Sequence, residues 1–284
     1  MPAFARRQPR ERRRDAVAKP YIPGAEPIAL DAGPRGVLIL HGFGDTPQSV
    51  AGLATALHTH GWTVRAPTLR GHGSTLQAFT EARANEWLGD AKGALHELQS
   101  RSTAVAVIGQ SMGGALATVL AAEEPIDALV LLVPFCTMSP RGRTIARFHR
   151  IVSLFKPHLR SRSESSILDP IARRHALGRG IATPRLLHEL WLVVRRARWC
   201  AGQVRVPALV IHSRRDPRIA VSDANEAFRR LGSREKLLEW VERSGHVISV
   251  DHDREWVARR ALDWLNVHTA EGAPNSEAVT DRHD

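Results

Sequence analysis

The sequence has few cysteines. Cys136 and Cys200 are the only two among 284 residues, and they show neither metal-ligand spacing nor a disulfide framework. A chain of this length buries a sizeable core, so it needs no disulfide or structural metal to fold. We therefore expect both side chains to be ordinary thiols, in the core or at the surface, in a protein of a reducing compartment.

Long apolar runs are also missing. No stretch approaches the roughly 18 apolar residues that a membrane-spanning helix requires. The arginine-rich start, MPAFARRQPRERRRD, is not followed by the apolar segment of a secretory signal peptide. These absences predict a soluble, cytoplasmic protein, for which peripheral contact with a membrane surface stays open.

Basic charge is abundant, but the motifs of nucleic-acid-binding proteins are missing. The formal net charge is +11. Residues 1–19 hold seven Lys or Arg against two acids, and residues 268–284 hold one Arg against four acids, so these ends contribute +5 and −3. The remaining +9 lies on the body and favours anionic surfaces. Because no aromatic-studded basic motif or helix-turn-helix pattern accompanies it, nucleic acid is not an expected partner.

Composition and periodicity divide the chain into three parts. Residues 1–19 and 268–284 are polar and aperiodic, and we expect a disordered basic arm and a disordered tail. In residues 20–267, short apolar runs alternate with segments in which apolar residues recur about every 3.6 positions. The runs predict strands at 36–42, 63–69, 104–110, 128–135, 207–213 and 236–242. The periodic segments predict helices at 47–60, 85–100, 112–123, 223–231 and 253–267.

This alternation predicts an α/β domain with a mostly parallel central sheet flanked by helices. One interval, residues 137–206, breaks the alternation, because it contains helix-like pieces at 143–155 and 185–199 but no convincing strand. We interpret it as a small helical cap inserted over one end of the sheet. An ordinary long crossover with two helices is the alternative.

The stretch 107-VIGQSMGGAL-116 surrounds one serine with glycines and fits the pattern G-x-S-x-G between an apolar strand and a helix. A serine at the tip of so tight a turn has a strained backbone, and a side chain at Gly109 or Gly113 would collide with the neighbouring strand or helix. The turn exposes the Ser111 hydroxyl at a helix N-terminus, where amides stabilise negative charge. A glycine-rich turn that merely packs a helix closely is the alternative.

A serine nucleophile needs a base, and the base needs a group that orients it. In this architecture the order along the chain is Ser, then Asp or Glu, then His. Asp216 and His246 each follow the end of a predicted strand, and parallel strands bring such loops together at one edge. Asp223 is a rival for Asp216, but we expect it to cap a helix. The rivals for His246 are His212 and His252.

The oxyanion of an acyl-transfer reaction needs two amide donors. We assign them to Met112, after the serine, and to Phe43 in 41-HGFGDTP-47, where Gly42 and Gly44 free the backbone. A simple tight turn is the alternative for this loop. We interpret His41 as a ring that braces the loop and His72 as a residue that shapes a turn.

The segments HGFGDTP, APTLRGHG, GQSMGG, VPALVIHSRRDPRI and ERSGHVISVDHD together resemble the α/β-hydrolase superfamily. More narrowly, the chain is similar to bacterial carboxylesterases and monoacylglycerol lipases with a small cap, over about residues 36–265. The resemblance implies a nucleophile at Ser111, an acid at Asp216, a base at His246 and no cofactor or metal. The Asp216-Pro217-Arg218 segment and the arginine-rich cap depart from the family pattern and leave substrate preference open.

The expected reaction is hydrolysis of carboxylic esters through an acyl-enzyme on Ser111. The same triad would also serve an acyltransferase, a thioesterase, or a hydrolase of amide, peptide or carbon–carbon bonds. A non-catalytic binding protein is a remote alternative because all three triad positions are occupied. Nothing in the sequence predicts an oligomeric state.

The predicted cap is basic. Residues 141–162 hold seven Lys or Arg and no carboxylate, interleaved with apolar residues such as Phe148, Leu154 and Phe155. Such a helix would suit an anionic lipid surface while its apolar face lines an acyl pocket. A solvated basic face over an ordinary core is an equal alternative.

Overall fold

The computed structural model describes residues 21–160, 166–178 and 180–269. The predicted basic arm, 1–19, lies outside the described residues, as does nearly all of the predicted tail. The described strands are β1 (Ile28–Leu30), β2 (Arg35–Leu40), β3 (Thr63–Ala66), β4 (Ala104–Gln110), β5 (Ala128–Leu132), β6 (Leu159–Arg160), β7 (Ile181–Ala182), β8 (Ala208–Ser213) and β9 (Lys236–Val241). The described helices are α1 (Ala51–Thr59), α2 (Leu76–Glu81), α3 (Ala84–Gln99), α4 (Met112–Glu123), α5 (Pro140–Arg147), α6 (His149–Phe155), α7 (Pro170–His175), α8 (Pro184–Cys200), α9 (Val221–Arg230) and α10 (Arg254–His268).

Seven strands form one sheet in the order β1-β3-β2-β4-β5-β8-β9. All neighbouring pairs are parallel except β1 with β3. The predicted fold class, an α/β fold with a mostly parallel sheet, is therefore confirmed. The six strands that the apolar runs predicted correspond to β2, β3, β4, β5, β8 and β9.

The sheet is covered on both faces. Along β2, Leu38 and Leu40 pack into one apolar cluster and Val37 and Ile39 into another, because successive side chains of a strand point to opposite faces. The first cluster includes residues of α3, α4 and α8, and the second includes residues of α1 and α10. Burial on both faces explains why these strands read as continuous Val, Ile and Leu runs.

Several short elements were missed by periodicity. The edge strand β1 has three residues and the cap hairpin, β6 with β7, has two residues on each side. The expectation of no strand within 137–206 was therefore wrong in this detail, because two-residue strands show no period. Helices α2 and α7 have six residues each and were also missed. The segment predicted as one helix at 143–155 is divided at Phe148 into α5 and α6.

The segment between β5 and β8 contains helices α5 to α8 and contributes walls to the cavity described below. The structure thus has a small helical cap, and we propose residues 137–206 as its bounds. In the described part of the chain, every helix is too short or too polar to cross a bilayer.

Candidate active site

Ser111 lies between β4 and α4 with φ 54° and ψ −115°. Among the described residues, only Ser111 and Val133 have a positive φ without being glycine. Such a conformation is costly for a residue with a Cβ atom and persists where the surroundings hold it. Here the Ser111 N–H donates to the Leu132 carbonyl (2.9 Å), and the Ser111 carbonyl accepts from the Phe135 N–H (3.0 Å).

Two flanking glycines permit this turn. A Cβ atom on Gly109 would overlap the Gly113 carbonyl, and one on Gly113 would overlap the Leu40 carbonyl at the end of β2. Both partners are backbone atoms in buried elements, so neither has room to shift. The structure therefore supports the steric reason that the sequence pattern indicated for these two glycines.

The structure brings together the three side chains that the sequence analysis selected. The Ser111 Oγ lies 2.8 Å from His246 Nε2, and His246 Nδ1 lies 2.7 Å from Asp216 Oδ2. Because a carboxylate only accepts hydrogen bonds, the His246 proton lies on Nδ1 and its Nε2 is free to accept the Ser111 proton. Asp216 follows β8 and His246 follows β9, both at the carboxyl edge of the sheet.

The side chain of Asp216 is buried, and burial alone would raise its pKa. The hydrogen bond and charge of His246 oppose this effect, and the net pKa lies below the usual value. Its other oxygen, Oδ1, accepts the backbone N–H groups of Arg218 (2.7 Å) and Ile219 (3.1 Å). These bonds keep the carboxylate ionised and fix its orientation towards His246.

The rival residues are not part of the hydrogen-bonded series Ser111–His246–Asp216. His212 is buried, and its Nε2 lies 3.7 Å from Asp216 Oδ2, while its Nδ1–H donates to the Ser213 carbonyl (3.0 Å). Burial lowers its pKa, so the ring is neutral. His252 is exposed.

The expectation that Asp223 caps a helix was wrong. Helix α9 begins at Val221, after Ala220, and Asp223 lies within its first turn without a capping bond.

Buried polar side chains hold the His246 loop in place. Asp251 accepts backbone N–H groups from Gly245 (2.7 Å), Leu168 (2.8 Å) and Asp169 (2.7 Å), so it connects this loop to the cap. The His246 N–H itself donates to the Ser166 carbonyl (2.7 Å). The imidazole orientation therefore depends on contacts from two distant parts of the chain.

The two predicted amide donors flank the serine. Among the described residues, neither the Phe43 nor the Met112 N–H donates a hydrogen bond. The Phe43 loop lies against the nucleophile, since a Cβ atom on Gly42 would stand 3.4 Å from Ser111 Cβ. Met112 begins α4, where the first N–H groups have no intrahelical partner. We therefore propose both amides as donors to an oxygen near Ser111.

Two histidines support the Phe43 loop. His41 accepts the Leu69 N–H at Nε2 (3.2 Å), and its Nδ1 lies 2.9 Å from the Gly42 carbonyl. Burial lowers the pKa of His41 to about 4, so it is a neutral brace. His72 is buried, and its ring meets those of Phe43 (6.2 Å) and Phe79 (4.9 Å) edge-on. The contacts of His41 and His72 agree with the structural roles that the sequence predicted for both rings.

Ser111 and His246 open into a cavity of about 670 Å³. This volume lies within the roughly 300–1,000 Å³ typical of small-molecule sites. The walls combine loops at the sheet edge with residues of the cap, and many of them are apolar: Phe43, Phe135, Met138, Leu159, Ile167, Leu187, Leu190 and Val247.

One carboxylate in this cavity is not among the residues that the sequence predicted for the site. Asp45 lines the wall two residues after Phe43, and burial raises its pKa to about 6. The signal was present in HGFGDTP, because an acidic residue follows the glycines that shape the loop. Arg218 and Ser166 also line the cavity, with Arg218 Nε donating to Ser166 Oγ (2.6 Å).

The two cysteines are buried away from this chemistry. Burial raises the pKa of Cys136 to about 12 and that of Cys200 to about 11, so both thiols stay protonated. They are therefore core thiols, one of the two expected locations. Within the described ranges, no group of three or more His, Cys, Asp or Glu side chains could hold a metal ion.

Residues 34–253 of the chain match the protein family described as serine aminopeptidase, S33. A thermostable monoacylglycerol lipase of Bacillus sp. (strain H-257) is 27% identical over 256 residues, which cover 88% of this chain and 97% of that protein. A carboxylesterase of Bacillus subtilis (strain 168) is 24% identical over 241 residues, covering 84% and 96%.

Among solved structures, a chain from work on the metagenome-derived lipolytic enzymes LipS and LipT superposes with a TM-score of 0.81. It is 29% identical, and the match covers 88% of this chain and 100% of that one. The family match extends from the start of β2 past the His246 loop, so it includes the whole candidate site. The chain therefore belongs to the serine aminopeptidase S33 family and is an α/β-hydrolase of the lipase and esterase type.

Proposed function

We propose that the protein hydrolyses carboxylic esters by two-step acyl transfer. Ser111 Oγ attacks the ester carbonyl while His246 Nε2 takes its proton, and the oxyanion forms beside the Phe43 and Met112 amides. His246 then gives the proton to the leaving alcohol, and an acyl-enzyme remains on Ser111. Water, deprotonated by His246, releases the acid and restores the serine. Asp216 orients the imidazole and stabilises its charged form.

One observation carries this proposal. The hydrogen-bonded series Ser111–His246–Asp216 opens directly into a cavity with many apolar side chains. Apolar walls suit an acyl chain, and the named relatives are a monoacylglycerol lipase and a carboxylesterase. The triad would equally serve an acyltransferase, a thioesterase, or a hydrolase of amide, peptide or carbon–carbon bonds, and these remain the alternatives.

A series of p-nitrophenyl esters from acetate to palmitate tests the proposal. We expect hydrolysis of at least the short and medium chains, since a cavity of about 670 Å³ admits an acyl chain beside Ser111. The chain length with the highest kcat/KM separates a short-chain esterase from a lipase-like enzyme. Added alcohol or thiol that competes with water for the acyl-enzyme would favour a transferase. A folded protein that cleaves no ester in the series would contradict ester hydrolysis.

We further propose that the cap docks on anionic lipid surfaces. In α5, α6 and the residues beside them, four apolar side chains are exposed: Phe148, Ile151, Leu154 and Phe155, the last two by 79% and 80%. Arg141, Arg143, Arg147, Arg150 and Lys156 accompany them without any acid between 140 and 156. Exposed apolar groups among basic residues fit a membrane interface rather than a solvated face.

Vesicle sedimentation checks the docking. We expect wild-type protein to bind vesicles containing phosphatidylglycerol more tightly than pure phosphatidylcholine, and binding to weaken with salt. Leu154→Ser with Phe155→Ser should reduce the affinity by about 10-fold or more, because burial of each side chain is worth about 1.5–3 kcal/mol. Val267→Ser, which removes an exposed apolar side chain from α10, serves as the matched control. Binding that ignores anionic lipid content would contradict electrostatic docking.

A further inference from the structure

The cavity contains a carboxylate that the proposed triad does not use. Asp45 Oδ1 accepts the Thr46 N–H (2.9 Å). The Ser49 hydroxyl also stabilises the ionised carboxylate through a hydrogen bond. No basic side chain forms an ion pair with Asp45 in the described ranges, although His246 interacts with it electrostatically. Because an ionised carboxylate has about four lone-pair sites, these two bonds leave Asp45 with acceptor capacity in the wall of the cavity.

The position of Asp45 brings this acceptor close to the reacting centre. It lies two residues after Phe43, in the loop whose Gly42 packs against Ser111. On the cap side, a Cβ atom on Gly178 would stand 3.7 Å from Asp45 Oδ1, so the carboxylate lies where the cap meets the sheet edge. A substrate held at Ser111 therefore passes beside Asp45.

The chemistry of the carboxylate limits what it can bind. An ionised carboxylate has only acceptor capacity, and a buried acceptor without a donor loses free energy. A substrate that donates a hydrogen bond there gains affinity, whereas an apolar substrate leaves the remaining acceptor capacity of the carboxylate unused. The acyl half of a simple ester has no donor and suits the apolar walls. The donor therefore belongs to the alcohol half.

We propose that Asp45 is a specificity-determining residue that accepts hydrogen bonds from free hydroxyl groups on the alcohol half of the substrate. The enzyme then prefers monoesters of polyols such as glycerol over esters of simple alcohols with the same acyl chain. This inference rests on the proposed ester hydrolysis and narrows it, since carboxylesterases and monoacylglycerol lipases both occur among the relatives. A hydroxyl fits better than an ammonium group because the protein body is strongly basic.

The ionisation of Asp45 agrees with an acceptor role. Burial raises its pKa to about 6, and the Ser49 hydroxyl, the Thr46 N–H and His246 each act in the opposite direction. At neutral pH the group is therefore mostly ionised and accepts through both oxygens. The other charged groups lining the cavity are Arg173, Arg218 and Asp223.

The test compares two soluble esters of one acid, glyceryl monooctanoate and propyl octanoate. We expect wild-type kcat/KM to be higher for the glyceryl ester. In Asp45→Ala the ratio of the two kcat/KM values should fall by about 10- to 100-fold, as expected for loss of a hydrogen bond to a charged group. The propyl ester should change by less than about threefold. Asp45→Asn keeps one acceptor oxygen and should retain part of the preference.

Controls separate specificity from folding and from the chemistry itself. Asp263→Ala, an exposed carboxylate on α10, should leave the ratio unchanged, and thermal unfolding shows whether each variant is folded. Equal loss on both esters in a folded Asp45→Ala would overturn the inference, because it would indicate a structural role. A wild-type preference for octanoylcholine that Asp45→Ala removes would overturn it in favour of cation binding.

The inference and the proposed function fail in different ways. If the wild type hydrolyses both octanoate esters without preference, only the role of Asp45 is overturned. If it hydrolyses neither ester, and a fluorophosphonate probe does not label Ser111, the proposed function and the inference are both overturned. If the probe labels Ser111 but neither ester is cleaved, the assignment of Ser111 as the nucleophile is supported and ester selection by Asp45 is overturned.

Discussion

Replacing Ser111 with alanine is expected to lower kcat for ester hydrolysis by about 10⁶-fold, to the residual rate that the remaining site supports. The reason is that Ser111 Oγ is the atom to which His246 Nε2 is hydrogen-bonded (2.8 Å), so its loss removes the acyl-enzyme route. The fold should survive, because alanine keeps the backbone bonds of Ser111 to Leu132 and Phe135. Hydrolysis of the preferred p-nitrophenyl ester measures the effect.

Two further observations make this result specific. A fluorophosphonate probe should label the wild type at Ser111 and leave Ser111→Ala unlabelled. Ser100→Ala, at the end of α3 where the hydroxyl donates to the Glu97 carbonyl, should keep wild-type activity. Retention of more than about one hundredth of the activity by folded Ser111→Ala would show that another group is the nucleophile.

Replacing Asp216 with asparagine should cost about 10⁴-fold in kcat. Asp216 Oδ2 accepts the Nδ1–H of His246 (2.7 Å), and an amide NH₂ in that place would instead stabilise the tautomer with a proton on Nε2. That proton would prevent His246 from accepting the proton of Ser111. The Oδ1 bonds to the Arg218 and Ile219 N–H groups survive if the amide oxygen points towards them.

Steady-state kinetics over a range of pH measures this effect, with Asp263→Asn on α10 as the exposed control. KM should change much less than kcat, because Asp216 is buried behind His246 and does not line the cavity. If folded Asp216→Asn kept more than a tenth of wild-type activity, the role of orienting group would belong elsewhere. His212 is the nearest additional group, since its Nε2 lies 3.7 Å from Asp216 Oδ2.

The parts of the fold that the sequence predicted are those with local signals. The inner strands are continuous apolar runs because both faces of the sheet are covered, and the long helices show a clear 3.6-residue period. The short elements β1, β6, β7, α2 and α7 were missed because each has only two to six residues, too few to show two turns or two alternations. Asp223 was misplaced because α9 begins two residues earlier than its pattern indicated.

The residues of the candidate site also fall into two groups, those with a local sequence signal and those whose positions depend on tertiary packing. Gly109, Ser111 and Gly113 are predictable because the turn between a strand and a helix is local, and its steric requirement appears in adjacent residues. The selection of Asp216 and His246 depended on a general rule, that loops after parallel strands meet at one sheet edge. Their hydrogen-bond distances, and the bonds from Asp251 that hold the His246 loop against the cap, depend on packing between distant segments.

By itself, the sequence determined the fold class, the identity of the strained serine and the order of its partners, because each depends on short-range pattern or on chain order. Only the tertiary structure decided which polar groups line the cavity. Asp45 stands in the loop that the sequence predicts to supply the Phe43 amide, and it becomes part of a cavity wall where the cap, at Gly178, meets the sheet edge. Burial and shared cavity walls are properties of the packed chain, so no local pattern specifies them.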